Sequence, residues 1–395
     1  MKYFKTTKFF IFLIGLLLFS LAFLILQIMT ASSSKEASLS EAESVVKSCG
    51  LSKQPELCYS QLMGSITKKK TLDHALKLLS QIQTIDPLTR GCHLIAHFIA
   101  GAEADKDISK WEEVIAKMSV GACSGGFIHG VLEARSKHDP TFVLNTQTIP
   151  QICEVIKRRT GSAGSDTNCS HIMGHLTLVT AKGDIPTAIR LCESLPQAML
   201  YECASGVYME NETRDNVATD GYLERIPWNK ETTEIQEKLC KKELNTTAQT
   251  ACWRELSHML VFISRNYPPD VYKSCSGALT SESIKECYGH AVGIMTSSSG
   301  FQDENMKYIC EPYLKTSEHD FRLCYVNAVG SMMVSSPELT DRAIALCNSV
   351  PLMYATDCFT TLGKRLSSIT TADQRKRLCT PAPDVYKARC ELGDI

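Results

Sequence analysis

The sequence has almost no net charge, few aromatic residues and none of the short motifs of common nucleotide-binding or hydrolytic enzymes. Its 42 Lys and Arg residues balance 43 Asp and Glu residues, which argues against a polycationic nucleic-acid-binding protein. Aromatic residues make up 7% of the chain. Gly-x-Gly-x-x-Gly, P-loop and Gly-x-Ser-x-Gly motifs are all missing. The sequence therefore points away from an enzyme without deciding the question.

A Cys-x-x-Cys motif is also missing, although the chain contains 18 cysteines. Its absence argues against a thioredoxin-type redox pair, a zinc ribbon and a c-type haem attachment site. The number of cysteines is even and an export segment precedes them, so we interpret them as structural disulfides of an oxidising compartment.

The N-terminal segment has the pattern of a membrane anchor. Lys2, Lys5 and Lys8 precede an apolar run over residues 9–29. A helix of this length is about 31 Å long, enough to cross the hydrocarbon core of a bilayer. No clear cleavage site follows, so we predict an uncleaved signal anchor over residues 1–30, with a cleaved signal peptide as the alternative. Residues 31–44 then form a tether. The rest of the chain is periplasmic or extracellular, either as a single-pass membrane protein or secreted.

The cysteine spacing contains an internal repeat. Ten cysteines follow one another at intervals of 31–49 residues, seven of the nine between 31 and 37. A period near 35 is typical of helical-hairpin arrays. They are Cys58, Cys92, Cys123, Cys169, Cys203, Cys252, Cys287, Cys324, Cys358 and Cys390.

Eight of these ten cysteines have a partner 9–16 residues upstream, and the remaining two, Cys92 and Cys123, are left to bond each other. The predicted disulfides are Cys49–Cys58, Cys92–Cys123, Cys153–Cys169, Cys192–Cys203, Cys240–Cys252, Cys275–Cys287, Cys310–Cys324, Cys347–Cys358 and Cys379–Cys390.

The segments on both sides of each pair have helical patterns, so the first cysteine ends one helix and the second begins the next. We therefore predict an all-α, disulfide-stapled helical-hairpin solenoid of about ten repeats over residues 45–395, preceded by one transmembrane helix. The position six residues after the second cysteine is Gly64, Gly293 or Gly330 in three repeats. Glycine in mid-helix is unfavourable, so we expect a neighbouring helix to approach closely there.

This period and this disulfide placement resemble those of tetratricopeptide-related, cysteine-rich helical-repeat proteins of secreted type. The resemblance extends over residues 40–395. It implies a superhelical binding surface. It assigns no functional residue, because the Trp, Leu, Gly and Tyr positions of tetratricopeptide repeats are not matched here.

Histidines are concentrated in repeats two to four. Two pairs have i, i+4 spacing, which places both imidazoles on one helix face at a separation suited to a shared metal ion. A His and a Glu have the same spacing in the repeat between them. These residues are His93 with His97, His129 with Glu133, and His171 with His175.

Helix spacing limits how many of these residues one ion can bind. Neighbouring helix axes are about 8–10 Å apart and a zinc–imidazole bond is about 2 Å, so one ion fits between two helices but not across three. His129 and His175 both lie six residues after a cysteine, so we favour His129, His171 and His175 as ligands. Glu133 is then a fourth ligand or a base. His93 and His97 are secondary candidates, because His97 is five residues after its cysteine and is expected to face elsewhere.

Two functions follow. The first is an interaction scaffold that binds a protein, a peptide or an envelope component, contacts the membrane through its N-terminal helix and binds no nucleic acid. The alternative is a metal-binding or metal-dependent protein, with zinc or copper as the divalent ion that suits imidazole. The same histidines could instead fill tight positions otherwise occupied by glycine. His258 and His290, isolated in later repeats, are expected to be structural or groove residues.

Overall fold

A computed structural model describes residues 39–52, 54–86, 89, 92–117, 122–160, 165–213, 226–299, 306, 308–310, 318–335 and 339–393. Regular structure in these residues is helical throughout, with no strand. The chain divides into two compact units, Met1–Thr89 and Arg90–Ile395. The apolar run at residues 9–29 lies outside the described residues. Among the helices of the described residues, none is long and apolar enough to cross a membrane.

The first unit contains three described helices. They are α1 (39–49), α2 (Pro55–Lys69) and α3 (Leu72–Ile85). The Cys49–Cys58 disulfide joins the end of α1 to α2. Met63, Leu78 and Ile82 are fully buried on α2 and α3, so these helices contribute an apolar core to their own unit.

The second unit is a series of alternating helices. In chain order they are α4 (His93–Ala104), α5 (Trp111–Ala116), α6 (Gly126–His138), α7 (Thr148–Thr160), α8 (Ser165–Thr180), α9 (Ile185–Cys192), α10 (Gln197–Thr213), α11 (Lys230–Lys242), α12 (Thr246–Ile263), α13 (Pro268–Cys275), α14 (Ser281–Ser298), α15 (Glu318–Ser335), α16 (Thr340–Ser349), α17 (Leu352–Ile369), α18 (Ala372–Leu378) and α19 (Asp384–Leu392). Short 3₁₀ turns cover Ile108–Lys110 and Ala122–Gly125.

One helix of each hairpin in this unit packs on the corresponding helix of the next hairpin. The contacts run in order through α4, α6, α8, α10, α12, α14, α15, α17 and α19, and the intervening helices pack mainly on their own hairpin partners. Local sequence sets the helix starts. Asp184, for example, accepts a hydrogen bond from the backbone N–H of Thr187 at the start of α9, where Pro186 occupies the first turn.

All 18 cysteines are disulfide-bonded. The nine pairs are the ones that the spacing predicts. Eight of them close a hairpin between consecutive helical segments. Cys92–Cys123 instead ties the start of α4 to the 3₁₀ turn before α6. The disulfides thus stabilise each turn and, at this one place, the pairing of two successive long helices.

Glycine allows close helix packing beside the histidines rather than at the predicted positions. A Cβ atom at Gly126 would overlap the carbonyl oxygen of His93, and one at Gly206 would overlap that of His171. By contrast, a Cβ at Gly293 would lie 3.6 Å from Ser331, and one at Gly330 would lie 3.8 Å from Arg365, both ordinary contacts. The expectation of close approach was therefore wrong at Gly293 and Gly330.

Candidate metal centre

Five histidines from three successive helices form one cluster. α4 provides His93 and His97, α6 provides His129, and α8 provides His171 and His175. The ring of His129 lies between the two pairs. Its centroid is 4.9 and 4.8 Å from those of His93 and His97, and 5.7 and 5.3 Å from those of His171 and His175.

The two histidines of α4 are each held in place by a hydrogen bond from Nδ1 to an oxygen atom. Nδ1 of His97 donates to the Oε2 atom of Glu133 at 3.2 Å, and Nδ1 of His93 donates to the carbonyl oxygen of Cys123 at 3.1 Å. The Nε2 atoms of the two rings face each other at 3.0 Å. The Cys92–Cys123 disulfide fixes the backbone that supplies this carbonyl.

The α8 pair repeats this arrangement. Nδ1 of His175 donates to the Oε2 atom of Glu210 on α10 at 2.9 Å, and the His171 ring hydrogen-bonds the backbone of Glu202. The two Nε2 atoms face each other at 3.1 Å. The other oxygen of the Glu210 carboxylate, Oε1, is buried and has no hydrogen-bond partner among the described residues.

These contacts fix the tautomers. Carbonyl and carboxylate oxygens only accept, so each ring of a pair carries its proton on Nδ1 and presents a lone pair at Nε2. Two lone pairs therefore oppose each other at about 3 Å in both pairs. Such an arrangement needs a cation between the nitrogens, either a proton or a metal ion.

Burial disfavours the proton. It lowers the pKa of His93 to about 4, and the neighbouring His97 ring adds to the effect. Burial and the surrounding histidines hold the pKa of His129 and that of His171 well below the ordinary value. Burial alone would raise the pKa of Glu133, but the His97 ring beside it outweighs this and lowers that pKa. At neutral pH the buried rings of His93, His129 and His171 are therefore neutral, and Glu133 is a carboxylate.

The histidines whose ligand atoms lie close enough to share an ion are not the set favoured from the sequence. One nitrogen from each of His93, His97 and His129 lies within 4.8 Å of the others. His93 and His97 do not face elsewhere, contrary to the cysteine-register expectation. The register fails because Cys123 lies in a 3₁₀ turn with positive φ, so distances along the chain from Cys123 and from Cys92 are not equivalent.

Sequence reasoning missed two further acidic groups and one histidine pair. Glu210 supports His175, and its helix contains no histidine that would have marked it. His258 and His290 are not isolated, since their ring centroids are 4.7 Å apart and both lie near the buried Glu255. A signal was present, because His258 lies six residues after Cys252, the spacing that singled out His129 and His175.

No protein-family model matches the chain, and comparisons with curated proteins and with solved structures find no significant match.

Proposed function

We propose that the chain is an extracytoplasmic metal-binding protein, built as a disulfide-stapled helical solenoid and anchored by its N-terminal segment. In this proposal the cluster of His93, His97, His129, His171 and His175 binds a divalent transition metal. The main support is that two Nε2 atoms face each other at 3.0 Å in the α4 pair and at 3.1 Å in the α8 pair. The ring hydrogens of both pairs are donated to oxygen atoms, so the facing nitrogens present lone pairs.

The spacing suits ligands of a common ion. Two imidazole nitrogens bound at about 2.05 Å lie about 2.9–3.3 Å apart for bond angles between octahedral and tetrahedral values. His129 is placed to complete the set of the α4 pair, while His171 and His175 offer a second pair of donors. Nitrogen-rich sites of this kind favour zinc or copper. Glu133 and Glu210 hold the rings in position from outside the ligand set, as carboxylates commonly do around histidine ligands.

The cluster is also reachable. The side chains of His97 and His175 retain 11% and 12% exposure, whereas His129 is buried beneath them. An ion entering from solvent would meet the two outer histidines first and the buried ring last. This arrangement suits uptake of a metal ion from the surroundings without unfolding of the chain.

The test is metal stoichiometry of the full-length protein, purified in detergent without a histidine tag. Elemental analysis and Zn²⁺ titration calorimetry should detect tight binding by the wild type. The H93A/H97A double variant and H129A should each lose at least one equivalent of bound zinc. H138A is the matched control, because His138 is an exposed histidine paired with Asp105. Equal stoichiometry in all four proteins would refute the proposal.

A second candidate function is the interaction scaffold. Its support lies in the later helices, where Leu352, Met353 and Val385 expose 81%, 64% and 77% of their surface at the starts of α17 and α19, which pack on each other. Cross-linking of envelope extracts to wild-type protein and to an L352D/M353D variant tests it. A partner captured equally by both proteins would exclude this face.

A further inference from the structure

A second group of potential metal ligands lies further along the second unit and shares no residue with the histidine cluster. Glu255 and His258 are on α12 and His290 is on α14. One ligand atom from each lies within 4.8 Å of those of the other two. The three residues come from two helices that pack directly on each other.

The carboxylate of Glu255 has one satisfied and one unsatisfied oxygen. The residue is fully buried. Its Oε1 atom accepts a 2.6 Å hydrogen bond from the Ser205 hydroxyl and lies 3.4 Å from Nε of Arg254. Its Oε2 atom is buried without a hydrogen-bond partner in the described part of the chain, and Nδ1 of His258 is 3.7 Å away. A buried carboxylate oxygen without a donor is costly, and a bound cation would remove that cost.

Both imidazoles are oriented with a free nitrogen. Nδ1 of His290 lies 2.9 Å from the carbonyl oxygen of Arg254 and 3.0 Å from the Ser257 hydroxyl. The carbonyl can only accept, so the His290 proton is on Nδ1 and Nε2 presents a lone pair. Nδ1 of His258 similarly approaches the backbone carbonyl of Glu255 at 3.2 Å. Both rings therefore have the tautomer that a metal ligand needs.

The local charges permit a second cation. The guanidinium of Arg254 would repel an ion, but it lies on the Oε1 side of Glu255 and also interacts with Glu202 and the Tyr201 hydroxyl. The side chain of His258 is 25% exposed, which gives an ion a route from solvent.

We propose that Glu255, His258 and His290 form a second metal site of the two-histidine, one-carboxylate type, which takes a divalent first-row ion such as Fe²⁺ or Zn²⁺. Three protein ligands leave coordination positions open, in contrast to the imidazole-rich cluster. An open position admits water or an anionic small molecule, so this is the site at which the protein would present its metal to a further ligand.

Trp228 gives the site a local reporter. Its ring centroid is 6.4 Å from that of His258, and its indole N–H is held by the carbonyl oxygen of Glu212. Paramagnetic Co²⁺ bound at the second site should therefore quench Trp228 fluorescence and give a visible absorption band. The W228F variant should lose the Trp228 share of this quenching while it binds the same amount of cobalt.

The experiment is a Co²⁺ titration of full-length protein in detergent, followed by absorbance and tryptophan fluorescence. H258A and E255Q should each lose one equivalent of cobalt and the Trp228 quenching. E255Q retains an acceptor for the Ser205 hydroxyl, so it guards against a simple folding defect, which far-UV circular dichroism checks. H93A/H97A should lose cobalt at the other cluster but keep the quenching. H138A should behave as wild type.

Unchanged cobalt stoichiometry and quenching in both H258A and E255Q would overturn the proposal. The first cluster would not be affected by that result, because the two sites share no ligand. Conversely, if H258A and E255Q lost the quenching while H93A/H97A and H138A kept it, the second site would be supported even if the five-histidine cluster bound nothing.

Discussion

The early helices of the second unit (α4, α6 and α8) and its late helices (α17 and α19) are both packed closely at glycines. The side chains at the two contact regions differ. Gly126 on α6 leaves room for the carbonyl oxygen of His93 on α4, and Gly363 on α17 leaves room for that of Arg389 on α19. Imidazoles fill the early contact region, whereas α17 and α19 contain no histidine. Close packing therefore does not require histidine.

The late contact shows what an ordinary interface of this repeat looks like. Phe359 of α17 stacks on Tyr386 of α19 with ring centroids 4.7 Å apart, and Arg389 donates to the hydroxyl of Thr360. Stacked aromatic and aliphatic contacts of this kind stabilise a helix pair without buried titratable groups. The helices α4, α6 and α8 instead bury the imidazoles of His93, His129 and His171, and burial disfavours their charged form.

The largest expected effect on stability belongs to the late region. Phe359 is fully buried, so F359A should lower the free energy of unfolding by about 3–5 kcal/mol. Zinc stoichiometry should stay at the wild-type value because α17 contributes no ligand. Chemical denaturation and elemental analysis of the same preparation check both statements. Loss of zinc in a folded F359A protein would show that the two regions are not independent.

The Cys92–Cys123 disulfide should contribute both to protein stability and to zinc affinity. It closes a loop with a sequence separation of 31, and removing it in C92S/C123S should destabilise the protein by about 3–4 kcal/mol in the chain-entropy account. It also fixes the carbonyl that orients His93, so zinc affinity should fall as well. C379S/C390S, whose disulfide has a separation of 11, is the matched control and should leave zinc affinity unchanged. Equal zinc affinity in the two variants would contradict the positioning role.

Much of the fold could be predicted from cysteine spacing, because a disulfide and a hairpin period are both properties of distance along the chain. The identity of the histidine-bearing helices followed from i, i+4 spacing. Helix rotation did not, because it depends on where each helix begins. Cys123 lies in a 3₁₀ turn before Gly126, so the register of α6 relative to α4 is not the register of the cysteines. The contact of Glu210 with His175 and that of His258 with His290 could not be predicted, because they depend on how neighbouring helices pack and not on spacing along the chain.

Acid should destabilise the metal-free early region more than the late one. The pKa of His93 is about 4 in the folded protein and about 6.5 when unfolded, so only the unfolded chain binds the proton between these values. The free energy of unfolding should therefore fall as pH drops from about 6.5 to 4, by about 3 kcal/mol for this ring alone, and His129 and His171 act in the same direction. Calorimetric melting of metal-free protein between pH 7.5 and 4.5 measures the slope.

A comparison of H93N with F359A tests whether the pH dependence of stability comes from the buried histidines. H93N should flatten the slope, whereas F359A should lower the melting temperature at every pH without changing the slope. Added Zn²⁺ should raise the melting temperature most at pH 7.5 and least at pH 4.5, since protons compete for the imidazoles. A melting temperature independent of pH in the wild type would contradict the assignment of buried neutral histidines.

The smallest expected effect comes from the carboxylates behind the rings. E133Q keeps an oxygen that can accept from Nδ1 of His97 but removes the charge that increases the basicity of the ring. We expect zinc affinity to fall about 10–100-fold with unchanged stoichiometry, the usual consequence of altering such a partner. E103Q is the matched control, because Glu103 is paired with Lys106 at the end of α4, away from the rings. If E133Q instead lost a full equivalent of zinc, Glu133 would be a ligand rather than a positioning residue.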